Sequence, residues 1–122
     1  MMLKPFLAAV AAAAISSMTM AHAPKVGRNG GPQADAGSYH VEIVPKGKMV
    51  TIFLRDHGDK SVGTSNFKGT AVFVVGGKPE RITLVPAGDN TLRGEAAVEL
   101  PAEPKGAVQI TTSAGGTIQA KF

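Results

Sequence analysis

From Tyr39 onward the chain alternates apolar and polar side chains. Tyr39, Val41 and Ile43 fall on one face of an extended segment, and His40 and Glu42 fall on the other. Pro45-Lys46-Gly47-Lys48 reads as a turn, after which Val50, Ile52 and Leu54 resume the same alternation. If that loop closes a hairpin pairing Val44 with Met49, then Ile43 meets Val50, Val41 meets Ile52 and Tyr39 meets Leu54. The outer face then carries His40 opposite Phe53 and Glu42 opposite Thr51. Pattern and turn agree on one register.

Further along, Ala71-Val72-Phe73-Val74-Val75 is apolar throughout, as a buried strand would be, and Gly76-Gly77-Lys78-Pro79 returns the chain into Arg81-Ile82-Thr83-Leu84-Val85. Thr91-Leu92-Arg93 and Ala96-Ala97-Val98-Glu99-Leu100 follow, the latter ended by Pro101 and Pro104. A third hairpin joins Val108-Gln109-Ile110 to Ile118-Gln119-Ala120-Lys121-Phe122 around Ser113-Ala114-Gly115-Gly116. Short strands with turn signals every eight to twelve residues predict an all-β fold. The expected architecture is a single antiparallel β-sandwich, immunoglobulin-like or a small open barrel, of six to seven strands over residues 38–122. Residues 24–37 hold four glycines and almost no large apolar side chain, so they read as a flexible arm or irregular lead-in.

The beginning of the chain reads as an address. Lys4 precedes the apolar run Phe6–Ile15, which is too short to cross a bilayer as a helix, and small residues Ala21 and Ala23 bracket His22. Residues 1–23 are therefore expected to be a cleaved signal peptide, with the bacterial periplasm as destination. Cleavage after Ala21 would instead leave His22 as the first residue, offering its amine and its imidazole to one metal ion. No later stretch is long and apolar enough for a membrane span, so no stable insertion is expected after cleavage.

Composition narrows the chemistry. With no cysteine there is no disulfide, thiolate metal site or thiol nucleophile. A net charge of +4 with only five phenylalanines and one tyrosine gives little material for stacking on nucleic-acid bases. No catalytic or nucleotide-binding motif is present, so an enzyme is not expected. That leaves the histidines. His40 and Glu42, two residues apart on one strand, place an imidazole beside a carboxylate. His57 has the same parity, but the predicted register leaves it ~13 Å from His40 at ~3.3 Å per residue. In Asp56-His57-Gly58-Asp59-Lys60 the two aspartates read as turn formers before ligands.

The strings Asn29-Gly30-Gly31, Gly37-Ser38-Tyr39-His40-Val41-Glu42-Ile43 and Leu54-Arg55-Asp56-His57-Gly58-Asp59-Lys60 resemble a family of small periplasmic proteins and domains associated with bacterial heavy-metal (copper, zinc, cobalt) efflux. Lys25-Val26-Gly27-Arg28 departs from that family's histidine-rich lead. A weaker likeness is to periplasmic copper chaperones of the CopC type, whose mature chains begin with histidine. The resemblance implies a divalent metal ion, copper or zinc, as ligand, heavy-metal efflux components as partners, and His40, Glu42, His57 and His22 as the metal-binding residues. The competing expectation is a metal-independent module that docks on an efflux or envelope component through the face around His40, Phe53 and Arg55.

Overall fold

A computed structural model of the protein describes residues 25–122. The expected signal peptide, its cleavage point and His22 lie outside the described residues. Among the described residues there are nine strands and no helix: β1 (Lys25–Val26), β2 (Pro32–Ala36), β3 (Tyr39–Lys46), β4 (Met49–Asp56), β5 (Lys68–Val75), β6 (Lys78–Pro86), β7 (Thr91–Glu95), β8 (Lys105–Thr111) and β9 (Thr117–Lys121). They form one antiparallel sheet in the order β1-β2-β3-β4-β7-β6-β5-β8-β9, curled into a half-barrel that brings β9 beside β2. The all-β, antiparallel expectation therefore holds. The strand count is nine where six or seven were expected, and the strands share one sheet.

The curl follows from burial. Along β3, β4, β5, β6 and β8 every second side chain turns inward, and Val41, Ile43, Val50, Ile52, Leu54, Phe73, Ile82, Leu84, Val108 and Ile110 are almost wholly removed from water. A flat sheet would leave that face wet, so the sheet wraps around its own apolar side. β6 is the joint. Its residues 78–84 pair with β5, whereas Val85 and Pro86 pair with Arg93 and Leu92 of β7.

Two segments differ from the reading of the sequence. Residues 24–37, expected as a flexible arm, contain β1 and β2, with Ala34 opposite Val41 and Ala36 opposite Tyr39. Alanine fills these inward positions beside the seam with β9, so no large apolar residue announces the strand. Ala96–Leu100, expected as a strand, is irregular. Its backbone instead caps the β3–β4 turn, Ala96 N donating to Lys48 O at 2.7 Å and Leu100 N to Gly47 O at 2.9 Å.

The first hairpin also closes more tightly than expected. Lys46 pairs with Met49, so the turn is Gly47-Lys48 alone, with Gly47 at a φ of 63°. Two-residue turns with a glycine at positive φ match the right-handed twist of the strands, which a four-residue loop does not require. The register moves by two: Ile43 faces Ile52, Val41 faces Leu54, and His40 faces Arg55, not Phe53. An even shift keeps every side chain on its expected face while changing its neighbours. Cross-strand nuclear Overhauser contacts should accordingly join the backbones of Ile43 with Ile52 and Val41 with Leu54. Contacts joining Ile43 with Val50 would restore the longer loop.

Candidate functional site

The outward face of β3 begins the site. Glu42 has the expected parity but not the expected exposure, since none of its surface meets water. The β1–β2 turn, Gly27 to Gly31, folds over it. Asn29 N donates to Glu42 Oε2 at 2.9 Å, Gly31 N donates to the same oxygen at 2.8 Å, and Asn29 Nδ2 reaches Oε1 at 3.2 Å. Glycine is required for this approach: a Cβ on Gly27 would overlap the Glu42 carboxyl group, and one on Gly31 would overlap the Ile43 carbonyl. Gly30 lies at a φ of 84°.

Across the hairpin, Arg55 faces the same carboxylate from β4. It is 2% exposed, and its guanidinium distributes donors among Glu42 Oε1 at 3.4 Å, Gln33 Oε1 at 2.6 Å and Asp59 Oδ1 at 2.9 Å. Asp59 in turn accepts from Arg28 Nη2 at 2.5 Å. The Asp56–Lys60 turn that carries Asp59 is closed by Asp59 N donating to Asp56 O and by Lys60 N donating to Asp56 Oδ1. Asp59 holds the one positive φ of a non-glycine residue among the described residues, 65°. The two aspartates thus serve the turn, as expected. Hydrogen bonding from Arg28, joined by that from Arg55 and by the charges of both, holds the Asp59 carboxyl below its ordinary value of 3.8 although desolvation opposes it.

A second cluster lies beside this network. β2 and β3 meet through the two-residue turn Gly37-Ser38, which puts Asp35 opposite His40. Asp35 Oδ1 lies 2.7 Å from His40 Nδ1. The His40 hydrogen bond, assisted by the charges of His40, Lys25 and His57, lowers the Asp35 carboxyl below 3.8 while desolvation opposes it. An ionised carboxylate only accepts, so Nδ1 carries a proton, and in the neutral ring the lone pair is on Nε2. The shifted register brings His57 back as well. The His40 and His57 rings stand 5.3 Å apart between centroids with their planes at 83°, which replaces the expected ~13 Å separation. Edge-to-face contact at this distance is an ordinary aromatic arrangement. Beside it an open cavity of about 500 Å³ is lined by Ser38, Tyr39, Asp56, His57, Gly58 and Val62.

The structure thus brings His40 and His57 together and assigns Glu42 elsewhere. The expectation that Glu42 stands solvent-side next to His40 is overturned, because the β1–β2 turn buries it and its oxygens are taken by donors. Asp35 was missed, although Gly37-Ser38 between Ala36 and Tyr39 is a hairpin signal that pairs it with His40. Among the described residues, no group of three or more His, Asp or Glu side chains is arranged to hold a metal ion. No family model, curated protein or solved structure matches the chain.

Two outcomes follow for stability. Glu42→Gln removes the buried partner of a buried charge pair and should cost about 3 kcal/mol in urea unfolding, since the buried guanidinium keeps only the exposed Asp59 as counter-ion; Asp35→Asn, at an exposed carboxylate, should cost under about 1 kcal/mol. Asp35 and Asp59 both have folded values below 3.8, so the unfolded chain binds more protons as acid is added. The stability they contribute is complete above the ordinary carboxyl range and is lost as pH falls through their folded values. Urea midpoints measured downward from neutral pH should fall in that acid window, and the fall should be shallower in Asp59→Asn.

Proposed function

We propose that the protein binds a divalent heavy metal, copper or zinc, through His40 and His57, as an exported accessory of metal handling. The observation that carries this reading is the ring separation. A zinc ion ~2.0–2.1 Å from one nitrogen of each imidazole stands roughly 3.2 Å from each ring centroid, and a tetrahedral angle then sets the centroids about 5.2 Å apart. The rings lie at 5.3 Å.

Asp35 supports the same reading. A carboxylate on Nδ1 fixes the tautomer and turns Nε2 outward, the arrangement that commonly backs a metal-bound histidine. His57 is exposed and the cavity beside it is open, so a metal has access and further positions remain for water or a third ligand. With cleavage after Ala21, His22 is the candidate for that third position, three residues before Lys25 in the sequence, and the charge of Lys25 acts on Asp35. Such a site has no thiolate and few ligands, so its affinity is modest and its chemistry is carriage or buffering. The resemblance to heavy-metal efflux proteins, the expected export signal and the absence of catalytic motifs fit this role, with an efflux component as the partner that delivers or receives the ion.

Titration with zinc or copper(II), followed by the His40 and His57 imidazole resonances, tests it. Both rings should respond at micromolar metal. His40→Ala and His57→Ala should each weaken binding by at least about tenfold, and Asp35→Asn by about tenfold through the lost orientation of His40. Rings that do not respond at micromolar metal would end the proposal.

A further inference from the structure

The two halves of the sheet carry different charges on their outer faces. On β5, β6, β8 and β9 the residues alternating with the buried Ala71, Phe73, Ile82, Leu84, Val108, Ile110 and Ala120 point away from the core. That outward set includes Lys68, Arg81, Lys105 and Lys121, all exposed. β5, β8 and β9 contain no aspartate or glutamate, and the one acid of β6, Glu80, faces Phe73 across the ladder and has the inward parity. Among the described residues none of the four cations is in an ion pair, whereas Arg28 and Arg55 on the other half are matched by Asp59 and Glu42.

The ladder gives the spacing. Arg81, Val72, Ala107 and Lys121 lie on one cross-strand row, which sets the two cations about 14 Å apart at ~4.8 Å per strand. Lys68 stands four residues from Val72 along β5, about 13 Å away. Between them lies a groove of about 460 Å³ whose lining includes Lys68, Arg81, Thr70, Thr83 and Gln109, two cations with hydroxyl and amide donors. Val74 and Val85 flank the face, 54% and 53% exposed, and Val74 pairs with Lys105.

We propose that this face docks on an anionic phospholipid bilayer, with the lysines and Arg81 on lipid phosphates, one headgroup in the groove and the two valines at the edge of the acyl region. Charge complementarity selects an anionic partner. The valines favour lipid over a nucleic acid, because the face offers no aromatic ring for base stacking and a duplex gives aliphatic side chains nothing to enter. The contact is peripheral, uses none of the residues of the His40–His57 cluster, and does not depend on metal.

The test uses the full chain with vesicles of phosphatidylcholine alone and of equal parts phosphatidylcholine and phosphatidylglycerol, reading the sedimented fraction. The leader carries Lys4 and so favours anionic vesicles as well, and the face is reported by the part of the excess on anionic vesicles that its own substitutions remove. That excess should vanish at high salt. It should fall about fivefold per charge removed and several-hundredfold in Lys68→Gln/Arg81→Gln/Lys105→Gln/Lys121→Gln, since each cation near an anionic surface contributes ~1 kcal/mol. Lys25→Gln/Lys46→Gln/Lys48→Gln/Lys60→Gln removes the same net charge from the other half and should lose far less. If the first variant loses its β-sheet circular dichroism, the four single substitutions are read in its place. No excess on anionic vesicles, equal losses in the two quadruple variants, unchanged single variants, or displacement from vesicles by duplex DNA at matched phosphate would each overturn the proposal.

Discussion

A carboxylate that cannot reach water must find donors inside the protein, and the N-terminal half of this sheet is arranged around that need at Glu42. Its burial carries a desolvation cost of several kcal/mol unless the charge is answered by hydrogen bonds and a counter-ion. The answer comes from three parts of the chain: two backbone N–H groups and an amide from the β1–β2 turn, a guanidinium from β4, and, through Arg55, Gln33 and the Asp56–Lys60 turn. Remove the carboxylate and the β1–β2 turn has lost its anchor, Arg55 has lost its counter-ion, and Asp59 holds a buried guanidinium alone. The network thereby couples the first strands to the rest of the sheet, where apolar burial alone would have offered only Ala34 and Ala36.

The same constraint explains residues that look functional in the sequence. Asn29, Gly30 and Gly31 supply donors and close approach, Asp59 steers Arg55 and Arg28, and Asp56 closes its own turn. A string with polar and glycine residues at fixed spacing reads naturally as a binding motif, yet here much of that spacing is what one buried charge demands of its surroundings. By contrast, the side chains of Asp35, His40 and His57 meet at the surface and give no hydrogen bond to Glu42, so they are free to be used otherwise.

Much of the fold was legible because inward positions in β3, β4, β5, β6 and β8 carry large aliphatic or aromatic side chains at period two. What escaped notice has physical causes. β2 buries alanines, which leave little apolar signal, and its neighbour β1 has only two residues. Ala96–Leu100 alternates like a strand but spends its N–H groups on capping a turn. The β3–β4 loop was misjudged by two residues, an error invisible to patterning because an even slip preserves the faces. That slip decided the reading of the site, since it separated His40 from His57 on paper. Glu42's burial lay beyond reach as well: parity puts it outward, and only the turn from residues 27–31 folding back over β3 removes it from solvent.

The division of labour across the sheet follows from how each half closes. The β1–β4 half is covered by its own turn, and its acids are engaged within it, leaving at its rim the two imidazoles and the carboxylate that orients one of them. The β5–β9 half is closed only on the core side. On β5, β6, β8 and β9 no aspartate or glutamate alternates outward with the cations, so their charge extends into solvent. A sheet whose two outer faces had been equally mixed in charge would show neither a preferred side nor a preferred partner. Here the direction of the field is set by where the acids are used, and most of those on the first half are already bound to cations or to their own turns.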